Sequence, residues 1–318
     1  MQKPEFWTKC GLPSNSLLPA SWLYNTISTA ARRRARSWKA PIPVICIGNL
    51  TMGGTGKTTV AISICQKLIE SGQHPHFLSR GYGRKKRSIM KVDLKKHDIN
   101  DVGDEPLLLA KYAPVWVNND RVIAAKRACA EGATCIIMDD GFQNPGLYKD
   151  HSLLVFDGPY GIGNGRIFPA GPMREHLRDG CDRANTAVII GEDLGSISQA
   201  LPLPIANAKL LPTDPLDLSD KKVAAFAGIG RPEKFFQTLK EMGADLILKK
   251  SFPDHHCFSK MEIENLLQAS KVASDLFTTE KDYVRLPREF QQLIKKVPIK
   301  LVWEDPGIID QALDGLFK

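Results

Sequence analysis

Cys46-Ile47-Gly48-Asn49-Leu50-Thr51-Met52-Gly53-Gly54-Thr55-Gly56-Lys57-Thr58-Thr59 joins an apolar strand to a helix through a glycine-rich turn ending in Lys-Thr. Closely spaced glycines let consecutive backbone N–H groups face one concavity, and the N-terminus of the following helix adds its positive dipole end. The segment therefore reads as a phosphate cradle. Gly53, Gly54, Thr55 and Gly56 line it, Lys57 brings a mobile charge to the outer phosphates, and Thr58 is placed to ligate Mg²⁺. The strict spacing G-x-x-x-x-G-K-[ST] would put glycine at Thr51, but the context restores the reading. Pro43 to Ile47 is a β-branched run without helical period, whereas Val60, Ile64 and Leu68 recur at helical spacing just after the loop.

Outward from this loop, strand candidates alternate with helical patterns: Val44–Ile47, Phe77–Ser79, Val115–Val117, Thr134–Met138, Ser152–Phe156 and Ala187–Ile190. Alternation of this kind predicts an α/β fold with a doubly wound, mainly parallel sheet covered on both faces, whose ligands bind beyond the carboxyl ends of the strands. Thr134 to Met138 ends in Asp139-Asp140-Gly141. Acids at that strand end are the expected metal partners of a phosphate loop, with Asp139 and Asp140 beside Thr58.

Between 192 and 221 the prolines 202, 204, 212 and 215 mark a loop-like stretch, after which a second series begins. Strands are expected at Lys222–Phe226, Leu246–Leu248, Asp275–Thr278 and Ile299–Val302, with helices starting near Pro232 and Ser259. The expected organisation is an N-terminal helix at 1–40, a nucleotide-binding domain at 41–200, a linker at 201–221 and a smaller α/β domain at 222–318.

The first forty residues suggest an amphipathic helix with Leu17, Ala20, Leu23, Tyr24, Ile27 and Ala31 near one face and Arg32-Arg33-Arg34 at its end. Such a helix either lies on a membrane surface, its arginines against anionic lipid, or packs on its own domain. A secretory signal would carry its charges before the apolar part, not after it.

At 318 residues, 43% apolar and 25% charged, the chain has the composition of a globular protein with room for two cores. No uninterrupted apolar run approaches the roughly 18 residues of a spanning helix. Seven scattered cysteines without a C-x-x-C pair argue against a disulfide framework or structural zinc. The net charge of +8 gathers at Arg32–Lys39 and Arg80–Arg87. Only Tyr82 is available there for stacking, so an anionic small molecule or lipid phosphate suits the second cluster better than nucleic acid.

Two further segments are open on residues alone. Asp101-Val102-Gly103-Asp104-Glu105-Pro106 reads as a helix cap with Pro106 at the first helical position. Phe252-Pro253-Asp254-His255-His256-Cys257-Phe258 pairs an acid with two histidines, which suits proton transfer or orientation better than metal binding.

Taken together, the ordered motifs resemble the tetraacyldisaccharide 4'-kinase family of Gram-negative lipid A biosynthesis. Besides the phosphate loop, the carriers are Ser79-Arg80-Gly81-Tyr82-Gly83, Gly103-Asp104-Glu105-Pro106, Asp139-Asp140-Gly141-Phe142-Gln143, Pro169-Ala170-Gly171-Pro172-Met173-Arg174-Glu175, Phe226-Ala227-Gly228-Ile229-Gly230-Arg231-Pro232, Pro253-Asp254-His255 and Thr279-Glu280-Lys281-Asp282. The resemblance implies phosphoryl transfer from ATP, with Mg²⁺, to the 4'-hydroxyl of tetraacyldisaccharide 1-phosphate at the cytoplasmic face of the inner membrane. It implies Asp104 as general base together with His255, Glu175 as a further Mg²⁺ ligand, and the N-terminal helix as a peripheral membrane contact. It calls for neither nucleic acid nor an obligate protein partner. Asn144 and Tyr160 stand where that family commonly has histidine and arginine, and no role is assigned to them. A P-loop switch ATPase acting on a protein or metal partner is the alternative. Met52 speaks against it, since such loops commonly carry lysine there, and so does the absence of an N/T-K-x-D base-reading motif.

Overall fold

The computed structural model describes residues 4–317; residues 1–3 and 318, at the ends of the first and last expected domains, lie outside it. Two compact units make up the described chain, one of residues 211–300 and one of the remainder.

In the larger unit the expected strands form β1 (Val44–Gly48), β2 (Pro75–Ser79), β4 (Val115–Val117), β5 (Cys135–Asp139), β6 (His151–Asp157) and β7 (Thr186–Ile190). A two-residue β3 (Met90–Lys91), β8 (Ile205–Pro212) and β13 (Ile299–Trp303) complete a sheet of order β13-β8-β7-β6-β1-β5-β2-β4-β3. The pairs from β8 through β4 are parallel and β3 is antiparallel.

Alternate side chains of β1 supply two cores: Ile45 and Ile47 join Ile64, Leu68 and Val155 on one face, while Val44 and Cys46 join Ala124, Met138 and Phe156 on the other. Burial on both faces is why these strands are continuously apolar, not alternating. The chain winds from β1 outward through β2 and β4, returns to β5 beside β1, and then crosses to β6 on the other flank. That reversal at β1 sets a crevice at the carboxyl ends of β1 and β5. Ile47 pairs with Asp139, so the acid of β5 is level with the start of the phosphate loop.

Two expectations change. The stretch read as a linker contains β8, whose Ala206 and Ala208 are buried in the sheet despite the flanking Pro204 and Pro212. The segment from Leu301 onward, expected in the smaller domain, belongs to the larger unit. There Leu301, Ile309 and Leu313 fill the core under β1, and Trp303 donates to Ser63 Oγ at 2.9 Å.

The N-terminal helix, Leu18–Arg34, packs on the larger unit through Ser21 and Tyr24. Ser21 is buried, donating from Oγ to Ile167 O (2.8 Å) and accepting from Ala170 N (3.0 Å), and Tyr24 meets Phe168 edge-on at 5.5 Å. Leu18, Trp22, Leu23 and Ile27 face outward, with Trp22 70% and Ile27 61% exposed. The inward face is polar because what it meets is largely backbone carbonyl and amide, which need hydrogen-bonding partners.

The smaller unit holds β9 (Lys222–Ala227), β10 (Asp245–Ser251), β11 (Asp275–Thr279) and β12 (Lys295–Val297) in the parallel order β10-β9-β11-β12. One face of β9 (Val223, Ala225, Ala227) packs on Phe235, Phe236 and Leu239 of helix Pro232–Glu241. The other face (Ala224, Phe226) packs on Ile263 and Leu266 of helix Lys260–Ala269.

Candidate active site

Gly53 and Gly56 hold φ of 103° and 87°, values costly for any residue with a Cβ, and a Cβ on Gly56 would lie 2.7 Å from Ile190 Cδ1. Glycine there both shapes the turn and lets it approach the sheet. Buried Asn49 braces the loop from inside, donating from Nδ2 to Thr51 O (2.8 Å) and Thr55 Oγ1 (3.2 Å).

At the start of helix Lys57–Glu70, the Thr58 hydroxyl donates to Asp139 Oδ2 at 3.3 Å, and Lys57 Nζ lies 3.6 Å from Asp140 Oδ1. Asp139 is buried, and its Oδ1 has no hydrogen-bond partner. Burial, reinforced by the negative charges of Glu105 and Asp140, pushes its carboxyl up to about 7. Asp140 goes the other way: its side chain is 41% exposed, so the desolvation that disfavours its charge is only partial, and Lys57 and Arg174 outweigh it and hold the carboxyl below its usual range. The two adjacent acids are thereby split into one that wants a cation and one that already faces two. Asp140 also sits at φ 49°, in the left-handed region, at the turn that follows β5.

The donor set fits a hard divalent cation. A threonine hydroxyl, a buried carboxylate oxygen with no partner, and a second carboxylate are the oxygens that Mg²⁺ prefers. Glu175 does not join them. It is fully buried, its Oε1 accepts from Gln143 Nε2 at 3.3 Å, and its Oε2 accepts from Arg183 and lies 3.3 Å from Arg32 Nη2. Both oxygens are committed to cations and an amide, so in this structure Glu175, expected as a Mg²⁺ ligand, is engaged with Gln143, Arg183 and Arg32 instead. Glu175→Gln is expected to lower unfolding stability by about 2 kcal/mol, the scale of lost hydrogen bonds to charged groups, because Arg32 and Arg183 retain access to water. Urea titration of the full chain reads this; an unchanged midpoint with a raised Mg²⁺ requirement would return Glu175 to the metal.

Three residues to which the motifs assign no role complete the surroundings. Arg174 Nη1 spans Asp140 Oδ1 (3.5 Å) and Gln143 Oε1 (3.1 Å), and Gln143 Nε2 also donates to Asn49 O at 2.9 Å, tying loop, acid and Glu175 together. Arg121 is buried near Asp139 and Asp140; burial, with Arg80 adding like charge, drops its guanidinium to about 10. Lys57, Arg121 and Arg174 thus form a cationic wall around the acids, as a polyphosphate requires.

Asp104 opens helix Asp104–Leu109 and is buried, its Oδ1 accepting from Glu105 N at 3.0 Å. The helix expected to begin at Pro106 begins at Asp104 with Pro106 third in it, and the side-chain cap in this stretch is Asp98, on the preceding short helix. Gly103 between the two helices has φ 90°, and a Cβ there would lie 2.8 Å from Tyr82 O. Since the charge of Glu105 acts on Asp139, the Asp104–Glu105 turn belongs to the same electrostatic neighbourhood.

In the smaller unit the two histidines are distinguished by their contacts. His256 stacks on Phe252 (centroids 4.8 Å apart) and bonds from Nε2 to Glu262 Oε1 at 3.0 Å, contacts that anchor a loop. His255 is half-buried at φ 60°, with its backbone N donating to Gly228 O at 3.2 Å.

A family model described as "Tetraacyldisaccharide-1-P 4'-kinase" matches residues 14–318. The chain belongs to the tetraacyldisaccharide 4'-kinase family. It is 45% identical over 321 residues to the tetraacyldisaccharide 4'-kinase of Gluconacetobacter diazotrophicus, spanning 99% of this chain and 98% of that one. Identity to the enzyme of that name from Paramagnetospirillum magneticum is also 45%, over 99% of each chain. The crystal structure of LpxK from Aquifex aeolicus in complex with ATP superposes with a TM-score of 0.81 at 26% identity, covering 96% of this chain and all of that one. Family membership gives the α/β fold, the kinase activity and the ordered motifs one common explanation.

Proposed function

We propose that this protein transfers the γ-phosphoryl group of ATP to the 4'-hydroxyl of tetraacyldisaccharide 1-phosphate, giving the 1,4'-bisphosphate used in lipid A biosynthesis. The observation that carries the reading is the cluster Lys57, Thr58, Asp139 and Asp140, with its unpartnered buried oxygen, in a chain that the family model matches from residue 14 to its end. The cluster would serve any P-loop nucleotide enzyme; the family match is what argues against the partner-switching ATPase.

Gly53 through Gly56 cradle the phosphates with backbone N–H groups, and Lys57 reaches the β- and γ-oxygens. Thr58, Asp139 and Asp140 would hold Mg²⁺, which when bound neutralises charge on the β- and γ-phosphates. Arg174, held by Gln143, and Arg121 add fixed positive charge. Asp104 takes the proton from the acceptor hydroxyl, and His255 serves as the orienting partner in that step. Incubation with Mg-ATP and tetraacyldisaccharide 1-phosphate tests the whole: ³¹P spectra should show a new monoester on the 4'-oxygen. Unmodified lipid beside free inorganic phosphate would reject it.

The raised Asp139 has a readable consequence. Below about pH 7 the metal-free protein carries a proton on Asp139 that Mg²⁺ must displace, so affinity should rise with pH toward 7 with proton release. Calorimetry in buffers of different ionisation enthalpy measures this, and Asp139→Asn should abolish the release. The sign for folding is opposite. Because the folded carboxyl is raised above its ordinary 3.8, its stabilisation is full below that value and is lost as pH rises through about 7.

The outward apolar face at Leu18, Trp22, Leu23 and Ile27, followed by exposed Arg33, Arg34 and Arg36, supports a peripheral seat on the cytoplasmic face of the inner membrane. Among the described residues no helix is long and apolar enough to cross a membrane. The triple variant Trp22→Ser, Leu23→Ser, Ile27→Ser should weaken cosedimentation with anionic vesicles at least about tenfold. Undiminished binding would place the contact elsewhere.

A further inference from the structure

The motifs around Gly228 and Asp282 take no part in the phosphate site, yet in the smaller unit they converge on His255. Asp282 and Arg285 form a buried ion pair at 2.9 Å, with side chains 0% and 2% exposed. The carboxylate is further fixed by Thr279 Oγ1 (2.6 Å) and Gly228 N (3.0 Å), both donating to Oδ2. Arg285 Nη1 also donates to Gly228 O at 2.8 Å, the same carbonyl that accepts His255 N. With Nη1 engaged in this way, Nη2 lies 3.4 Å from His255 Nδ1 in hydrogen-bonding geometry.

A guanidinium has only donors, so an imidazole nitrogen that bonds to it must accept. We infer that Arg285, clamped by Asp282 and Gly228, fixes the neutral His255 ring with its proton on Nε2 and presents that N–H as a hydrogen-bond donor. Arg285 is a positioning residue, acting through His255. The left-handed backbone at His255 is held by the shared carbonyl of Gly228. Nε2 itself stands 3.9 Å from Asp254 Oδ2, beyond hydrogen-bond distance to that oxygen.

This rests on the proposed function only for what the donor does. A His255 ring held in this tautomer cannot accept a proton at Nε2, which leaves Asp104 as the base.

The test is a two-bond ¹H–¹⁵N spectrum of the full chain labelled with ¹⁵N-histidine, with His255→Gln to assign the ring and Arg285→Lys as the perturbation. Lysine keeps a positive charge beside Asp282, so the buried acid remains paired, but it cannot bond Asp282, Gly228 and His255 together. The wild-type ring should show an unprotonated Nδ1. Arg285→Lys should mix the tautomers and lower kcat roughly tenfold with KM for ATP unchanged, the scale expected for loosening one orienting bond. A wild-type ring protonated on Nδ1, or a tautomer indifferent to Arg285→Lys, would overturn the inference without any need for activity. A tautomer that shifts while turnover holds would leave the clamp standing and remove His255 from the proposed reaction.

Discussion

Asp104→Asn is expected to lower kcat by about 10²–10⁴-fold, the range for losing a positioned general base, while KM for ATP stays nearly unchanged. The substitution is chosen for shape. Asparagine keeps an oxygen where Asp104 Oδ1 accepts from Glu105 N, so the helix start should survive in its present form. What is lost is basicity toward a hydroxyl that is a poor nucleophile at neutral pH. Steady-state kinetics with the lipid acceptor in mixed micelles reads the effect. A variant with wild-type kcat would strip Asp104 of its role, and a rise in KM for ATP alone would make it a nucleotide contact.

Lys57→Met should lower kcat/KM for ATP by about 10²–10³-fold, the magnitude typical of removing one charged group aimed at a transition state. The loop backbone does not depend on this side chain, since Asn49, Gly53 and Gly56 shape it. The loss should therefore be in phosphate handling and not in folding. Its partner Asp140 would keep only Arg174 among its two nearest cations. An equal fall in thermal stability would show that the Lys57–Asp140 pair is structural instead.

How much of this could be read beforehand depends on how local each signal is. Val44–Gly48 and Cys135–Asp139 were legible because strands buried on both faces are apolar without alternation, and because a glycine loop and an acid pair follow them directly. β8 was hidden by Pro204 and Pro212, which read as loop punctuation but lie just before and at the end of the strand. Strand Ile299–Trp303 was recognised as a strand and assigned to the wrong sheet, since pairing partners distant in sequence leave no local mark.

For the helix Leu18–Arg34 periodicity finds an apolar face but cannot say whether it meets a membrane or the body. Ser21 and Arg32 turn inward, to backbone groups and to Glu175, while Trp22, Leu23 and Ile27 face outward. Arg121 follows an ordinary Asp120 helix cap, so nothing in its neighbours announces that it is buried beside the acids. Arg285, three residues beyond Asp282, gains its meaning only once Gly228 and His255 are brought beside it.

The most direct test of the central claim is the partition of label from γ-³²P-ATP between lipid and water, measured side by side for the wild-type chain and Asp104→Asn with tetraacyldisaccharide 1-phosphate in detergent micelles. The account predicts labelled bisphosphorylated lipid from the wild type, little free phosphate without lipid, and loss of the lipid signal in the variant. Steady release of labelled inorganic phosphate with no labelled lipid would contradict it, and would mark the cluster at Lys57 and Asp139 as the site of an ATPase, not of a lipid kinase.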